Sequence, residues 1–279
     1  MFADLLSIVD GTEKLSWFQL EAGMGLNLNG KLPAYPQQVH EITIQKTITE
    51  TTRNSLGYRC DEFPAQGNKK PKILFSGCST TYGVGLNIDD TWAKKVYDEL
   101  STKHDLGPYI NIARNGNSVF GIISDVFKYI NEYGKPDVVA LAFPSIFRGY
   151  KIERMGKSYN LYNSHFPLFF RKSLDELSPI IDALMPYVVD YIMMLDIFCQ
   201  SNGIALKMFV WDDTFKHETY GMSEYVMNKL EHIEDVPRKL FEIEDGKSGL
   251  FANDNAHLGV TYHEVFKNHM IELIEGGLR

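Results

Sequence analysis

The sequence contains few cysteines and no cluster of basic residues. Only three of its 279 residues are cysteines (Cys60, Cys78 and Cys199), and no two of them form a Cys-x-x-Cys pair. This spacing indicates neither a zinc site nor a disulfide framework. The net charge is −8 and the isoelectric point is near 5.5, so the chain is poorly suited to binding a phosphate backbone. We therefore expect no nucleic-acid partner.

Long apolar runs are also missing. The longest apolar stretch, residues 187–199, is interrupted by Asp190 and Asp196, and no window of about 18 apolar residues exists that would cross a bilayer. The first 15 residues lack the basic start and apolar centre of a secretory signal. The sequence therefore predicts a soluble protein made in the cytoplasm, with no membrane partner. Whether it stays there or is carried on a bacterial or phage particle is left open.

Residues 1–70 differ in composition from the rest of the chain. Residues 23–38 are rich in Gly, Asn, Pro and Gln, which is typical of loops, whereas residues 40–52 alternate β-branched and polar residues as a strand does. This part has too few apolar residues to build a second core. We interpret it as an N-terminal extension packed on a core domain that spans residues 71–279.

From residue 71 onward, short apolar runs alternate with helical patterns. This alternation predicts a parallel sheet covered by helices on both faces, that is, a three-layer α/β/α sandwich with a mainly parallel sheet of about five strands. A long, aromatic-rich segment at 144–179 shows no regular pattern, and segments of this length are often binding walls or lids. The predicted strands are 73–75, 109–112, 138–143, 204–211 and 240–243, and the predicted helices are 91–100, 119–133, 180–202, 222–233 and 261–275.

The first chemically distinctive stretch follows the first predicted core strand. Small residues from Ser76 to Thr81 separate that strand from the next helix, so Ser79 is expected at the carboxyl edge of the sheet, where open α/β sheets bind ligands. The stretch has neither the Gly-Lys-Ser/Thr of a P-loop nor a Gly-x-Ser-x-Gly elbow. Taken alone, it fits an ordinary strand-to-helix loop as well as it fits a nucleophile.

The second distinctive stretch lies just before the last predicted helix. Asp254 precedes His257 by three residues, which puts both on one side of a single turn. A carboxylate in that position can orient the imidazole that a serine nucleophile needs as its base. A lone Asp-x-x-His is common at surfaces and caps. In combination with the turn at Ser79, it indicates a Ser-His-Asp triad.

These two stretches together resemble the SGNH (GDSL-like) hydrolases. Residues 77–83 read Gly-Cys-Ser-Thr-Thr-Tyr-Gly, close to the Gly-Asp-Ser-x-Thr-x-Gly of that family, and its last block is Asp-x-x-His. The resemblance covers about residues 71–265. It implies a flavodoxin-like SGNH fold, a catalytic triad of Ser79, Asp254 and His257, and no metal or organic cofactor. The stretch 54–60 also resembles the lead-in segment of some bacterial and phage members.

The resemblance also implies an oxyanion hole, in which the family's middle blocks supply donors. The second block is recognisable in residues 111–118, and it implies the backbone N–H of Gly116 as a donor beside that of Ser79. The third block departs from the family, because Ser145 stands where an Asn is expected. The Ser145 hydroxyl can still donate, and Arg148 is an alternative donor. Losing one oxyanion donor typically costs about a hundredfold or more in rate.

The resemblance implies an ester hydrolase, with small acyl esters or O-acetylated carbohydrates as substrates. Two alternatives stay open: an O-acyltransferase that uses the same triad, and a catalytically weak SGNH-fold module that binds glycans or serves as a structural part. Trp211, Asp212 and Tyr150 are weaker candidates for substrate binding: ordinary packing and capping explain Trp211 and Asp212 better, and packing of the loop explains Tyr150 at least as well. The histidines near the C-terminal end indicate no metal site, so we expect none.

Overall fold

A computed structural model of the chain describes residues 14–17, 53–65, 72–144, 150–154, 157–160, 174–211, 229–232, 252 and 257–275. The strands in these ranges are β1 (Lys14–Trp17), β2 (Ile73–Gly77), β3 (Ile110–Asn111), β4 (Val138–Phe143), β5 (Tyr150–Arg154), β6 (Lys157–Asn160), β7 (Ala205–Val210) and β8 (Leu230–His232). The helices are α1 (Ser79–Tyr82), α2 (Trp92–Ser101), α3 (Val119–Tyr133), α4 (Leu174–Ser201) and α5 (Val260–Glu275), with a 3₁₀ turn at Ile88–Asp90.

Five strands form one parallel sheet, in the order β3-β2-β4-β7-β8. Every residue of β2 and β4 is buried, as expected for strands that carry helices on both faces. Leu74 pairs with Val139 on one side and with Ile110 on the other, so β2 is an interior strand. The carboxyl end of β2 therefore has a neighbouring strand on either side.

Two pairs of helices cover the sheet. Helix α5 packs against α2 and β7, and helix α4 packs against α3 and β7. Aromatic side chains mark both layers: the ring of Phe209 on β7 contacts the rings of Trp92 and Phe266, and Phe127 on α3 contacts Phe198 on α4. The expected three-layer α/β/α sandwich with a parallel sheet of about five strands is confirmed.

Side-chain caps explain where two of these helices begin. The Thr91 hydroxyl accepts a hydrogen bond from the Lys94 N–H at the start of α2, and the Ser118 hydroxyl accepts one from the Gly121 N–H at the start of α3. Both residues satisfy N–H groups that have no partner within their helix. Ser118 thereby ends the loop that contains the expected oxyanion residue Gly116.

Several predicted elements need correction. The helix predicted over 222–233 is wrong at Leu230–His232, because these residues pair with β7 and form the edge strand β8. Helix α4 begins at Leu174, six residues earlier than predicted. The strands predicted at 40–52 and 240–243 lie outside the described residues.

The aromatic-rich segment after β4 also contains regular structure that the pattern did not indicate. Strands β5 and β6 pair antiparallel within it, and β1 from the N-terminal part adds to β5 with Leu15 opposite Ile152. These three strands form a second, small sheet. No helix within the described part of the chain is long and apolar enough to cross a membrane.

The segment 53–65, just ahead of β2, belongs to the core. Tyr58 is fully buried, and Phe63 places its ring against those of Tyr129 and Tyr133 on α3. The Asp61 carboxylate accepts a hydrogen bond of 2.7 Å from the Tyr109 N–H beside β3. This part of the predicted N-terminal extension is thus fixed to both the sheet and a helix. The boundary of the extension at residue 70 stays a prediction.

Candidate functional site

Ser79 lies where strand β2 passes into helix α1. Cys78 is extended (φ −100°, ψ −153°), and Ser79 is the first residue of the helix, with only 2% of its surface exposed. The passage from strand β2 to helix α1 requires a glycine at position 77. A Cβ added to Gly77 would come within 2.0 Å of Thr81 Oγ1 and 3.0 Å of the Ala142 carbonyl oxygen. The glycine therefore lets α1 fold back closely onto the sheet.

The loop after α1 returns to Ser79. The carbonyl oxygen of Ser79 accepts hydrogen bonds from the N–H groups of Gly83 (2.8 Å) and Val84 (3.1 Å). Gly83 has a φ of 78°, a left-handed conformation that glycine adopts without strain, and a Cβ there would lie 2.1 Å from Thr91 Cγ2. The position of the Ser79 backbone therefore depends on this glycine turn.

A buried arginine from the N-terminal segment holds the same turn. Arg59 donates hydrogen bonds to the carbonyl oxygens of Tyr82 (3.1 Å), Gly83 (2.7 Å) and Leu86 (2.8 Å). Its guanidinium also lies over the Tyr82 ring, 5.3 Å from the centroid, and the residue is 4% exposed. This role was not predicted from the sequence, where the only signal was the similarity of residues 54–60 to a lead-in segment of the family.

The loop that contains Gly116 leaves the sheet next to the Ser79 turn. The Arg114 N–H donates to the Gly77 carbonyl oxygen (3.2 Å), and the Asn111 side chain donates to the Thr81 carbonyl oxygen (3.1 Å). Gly116 itself is exposed and has a φ of 76°, and a Cβ added to it would meet no atom within 4 Å. A side chain at position 116 would therefore project into open space.

A buried carboxylate braces this loop from behind. Asp125 on α3 is fully buried and accepts hydrogen bonds from Arg114 Nε (2.8 Å) and Asn117 Nδ2 (3.0 Å), and its carboxylate forms an ion pair with Arg114 Nη2 (2.7 Å). Burial raises the pKa of Asp125, and the Arg114 charge opposes that rise. Arg114 and Asn117 flank Gly116, so Asp125 fixes both sides of the loop. This network was not anticipated from the sequence.

His257 lies three residues before the start of helix α5. It is half-buried, and its carbonyl oxygen accepts a hydrogen bond of 2.9 Å from the Ala252 N–H. Six residues later, in the first turn of α5, His263 is 1% exposed, and burial lowers its pKa to about 3, with further lowering from the charges of Lys95, His257 and Arg59.

The structure describes only some of the remaining expected site residues. Asp254, Ser145, Arg148 and Asp212 lie outside the described residues. The backbone of Tyr150 belongs to β5. Trp211 follows β7, is partly buried and lies with its ring centroid 6.4 Å from that of Phe266, so it packs against α5. All these assignments to the site stay predictions.

The cysteines are buried rather than available for chemistry. Cys78, the neighbour of Ser79, is 1% exposed. Burial raises the pKa of the Cys60 and Cys199 thiols to about 12. Neither of the latter forms a thiolate readily near neutral pH. Within the described ranges, no three His, Cys, Asp or Glu side chains come together in a way that would hold a metal ion.

Comparison with known proteins finds similar structures but no similar sequences. No protein-family model matches the chain, and no curated protein matches it either. A psychrotrophic esterase, EstA from a Pseudoalteromonas species, in a structure inhibited by monoethylphosphonate, is 15% identical; the alignment covers 74% of this chain and 97% of that chain, with a TM-score of 0.45.

Two further structures are similar to the same extent. TesA is 12% identical over 73% of this chain and 98% of its own, with a TM-score of 0.43. A member of the lipolytic G-D-S-L family from Veillonella parvula is 13% identical over 73% of this chain and 97% of its own, with a TM-score of 0.41.

Proposed function

We propose that this chain is a serine ester hydrolase in which Ser79 is the nucleophile. The observation that carries the proposal is the position of Ser79 as the first helical residue at the carboxyl end of an interior parallel strand. Ligands of open α/β sheets bind at that edge. The loop of Gly116 leaves the neighbouring strand at the same edge, joined to the Ser79 turn by the Arg114–Gly77 hydrogen bond.

The proposed reaction proceeds through an acyl-enzyme. Ser79 Oγ attacks the ester carbonyl carbon as His257 takes its proton, and His257 then returns that proton to the departing alcohol as the acyl C–O bond breaks. Water next attacks the acyl-enzyme and loses a proton to His257. The bond between the acyl carbon and Ser79 Oγ then breaks, Ser79 takes that proton from His257, and the carboxylic acid leaves. Asp254 orients the imidazole and stabilises its protonated form.

The developing oxyanion needs donors that already point at it. The Ser79 N–H lies at the start of a helix, where backbone N–H groups have no partner within the helix. The Gly116 N–H is the second proposed donor, and Gly116 is exposed at the same edge of the sheet. The Ser145 hydroxyl or the Arg148 guanidinium is the proposed third donor.

The burial of Ser79 favours a small acyl group. With 2% of its surface exposed, the residue is reached more easily by an acetyl group than by a bulky acyl chain. We therefore propose small acyl esters, such as O-acetyl groups of carbohydrates, as the substrate class. No metal or organic cofactor enters the mechanism.

Hydrolysis of p-nitrophenyl acetate tests the proposal. We expect Ser79→Ala and His257→Ala each to lower kcat/KM by at least about a thousandfold, since members of a triad act as a unit. Thr80→Ala is the matched control, because it removes the hydroxyl of the neighbouring residue, which is also buried, and it should retain most of the activity. Full activity in a folded Ser79→Ala protein would overturn the assignment.

A further inference from the structure

We propose that Arg59 is a positioning residue for Ser79, which makes the N-terminal segment 53–65 part of the catalytic unit. The inference rests on the proposed function, because it concerns the same serine. It goes beyond that proposal, since the triad and the oxyanion donors do not include any residue ahead of β2. Its basis is the set of contacts between Arg59 and the loop that follows Ser79.

Those contacts connect Arg59 to the Ser79 backbone in two steps. Arg59 donates to the carbonyl oxygens of Tyr82, Gly83 and Leu86. The N–H groups of Gly83 and Val84 in turn donate to the Ser79 carbonyl oxygen. The carbonyl groups at the end of a helix have no partner within the helix, and a cation there is favourable. Arg59 therefore holds the turn that holds Ser79.

The guanidinium geometry suits this role better than an ammonium would. Three carbonyl oxygens are satisfied by two nitrogens of one planar group: Nη1 reaches Tyr82 and Gly83, and Nη2 reaches Leu86. The same plane lies over the Tyr82 ring. A lysine carries the charge but presents it as a point, without a rigid fork of donors.

The segment that carries Arg59 is itself fixed. The Asn54 side chain accepts hydrogen bonds from the N–H groups of Leu56 (3.1 Å) and Tyr58 (2.9 Å), which shapes the turn just before Arg59. On the other side of Arg59, Asp61 exchanges backbone and side-chain hydrogen bonds with Tyr109 beside β3. Arg59 therefore extends from a rigid support, as a residue that positions another must.

The test compares Arg59→Met and Arg59→Lys with wild type. The readouts are the rate at which a fluorophosphonate probe labels the protein and the kinetics of p-nitrophenyl acetate hydrolysis. We expect Arg59→Met to lower both the labelling rate and kcat by about tenfold or more, with KM within about twofold of wild type, because small displacements of a nucleophile affect the reaction more than binding. Arg59→Lys should give a labelling rate and a kcat between those of Arg59→Met and wild type.

Lys229→Met is the control for a general loss of stability. The substitution removes the Lys229 ammonium group, which pairs at 2.6 Å with the buried carboxylate of Asp196 on α4. Both residues are far along the chain from the Ser79 turn. We expect it to unfold at lower urea concentration yet to be labelled at the wild-type rate. An equal loss of labelling in Lys229→Met and Arg59→Met would overturn the positioning role.

The outcomes separate this inference from the proposed function. If wild type is labelled and both folded Arg59 variants are labelled at the wild-type rate, Arg59 does not position Ser79 and the hydrolase assignment stands. If Arg59→Met does not fold, Arg59→Lys decides: slower labelling supports the inference, and the wild-type rate overturns it. If wild type itself forms no adduct, the proposed function fails and this inference fails with it.

Discussion

At the scale of single residues, His263 is a buried polar side chain with a structural role. Its Nδ1 atom accepts a hydrogen bond of 2.9 Å from the Trp92 N–H, so it satisfies a backbone group at the start of α2 from a different helix. Accepting this bond requires the neutral imidazole. Burial, together with the charges of Lys95, His257 and Arg59, lowers the pKa of His263 to about 3.

This pKa predicts a loss of stability in acid. Between the ordinary histidine pKa of 6.5 and about 3, the unfolded chain binds a proton at this position and the folded chain does not. The free energy of unfolding therefore falls as the pH falls through this window, by up to about 1.4 kcal/mol per pH unit, and the full contribution is present above pH 6.5. Urea unfolding from pH 7 to about pH 4 measures the slope.

His263→Asn isolates this contribution, because asparagine keeps an acceptor near the Trp92 N–H but does not titrate. We expect a shallower dependence of stability on pH than in wild type. The comparison variant is His104→Asn, which replaces an exposed histidine after α2. A slope in His263→Asn that equals the wild-type slope would refute the account of His263.

At the scale of secondary-structure elements, the contact between α2 and α5 combines a charged rim with an apolar centre. Lys95 pairs with Glu264, and Lys267 bonds to Glu99 at 3.1 Å. Such partly exposed pairs contribute little on their own. The larger contribution comes from apolar burial beneath them, where the fully buried Phe266 stacks on Phe209 of β7 with ring centroids 5.3 Å apart.

Two adjacent positions on α5 test this division. Phe266→Ala should lower the free energy of unfolding by about 3–5 kcal/mol, because it leaves a cavity between the helix and the sheet. Val265→Ala changes the neighbouring residue, which is 40% exposed, and should change stability by only about 0.5 kcal/mol. Urea unfolding of both variants provides the comparison. Similar losses at the two positions would mean that α5 does not pack by the face described.

Whether a helix or strand could be predicted from the sequence depends on what determines its conformation. Helix α3 and strand β4 have the bounds that the pattern predicted, because apolar periodicity and a continuous apolar run are local signals. Strand β8 was mistaken for helix, since a three-residue edge strand takes its conformation from β7 rather than from its own side chains. Strand β1 likewise takes its conformation from a partner strand, β5, which is more than 130 residues away in sequence.

At the scale of the whole molecule, the candidate site is assembled from parts that are distant in the chain. The positions of Ser79 and Gly116 at one sheet edge were predictable, because the carboxyl ends of neighbouring parallel strands meet there. The bracing of their loops by Arg59 and Asp125 was not, since both are buried charges whose partners are set only by tertiary packing. Burial of an arginine leaves no periodic pattern in a sequence.

The measurement that most directly tests the central claim is the intact mass of the protein after incubation with a fluorophosphonate probe. We expect a single adduct on wild type, mapped to Ser79 by peptide analysis, and none on Ser79→Ala or His257→Ala. That result requires an activated serine and its histidine to work together in this fold. A folded wild-type protein without any adduct would contradict the proposed hydrolase, and would favour instead a module that binds glycans or serves as a structural part.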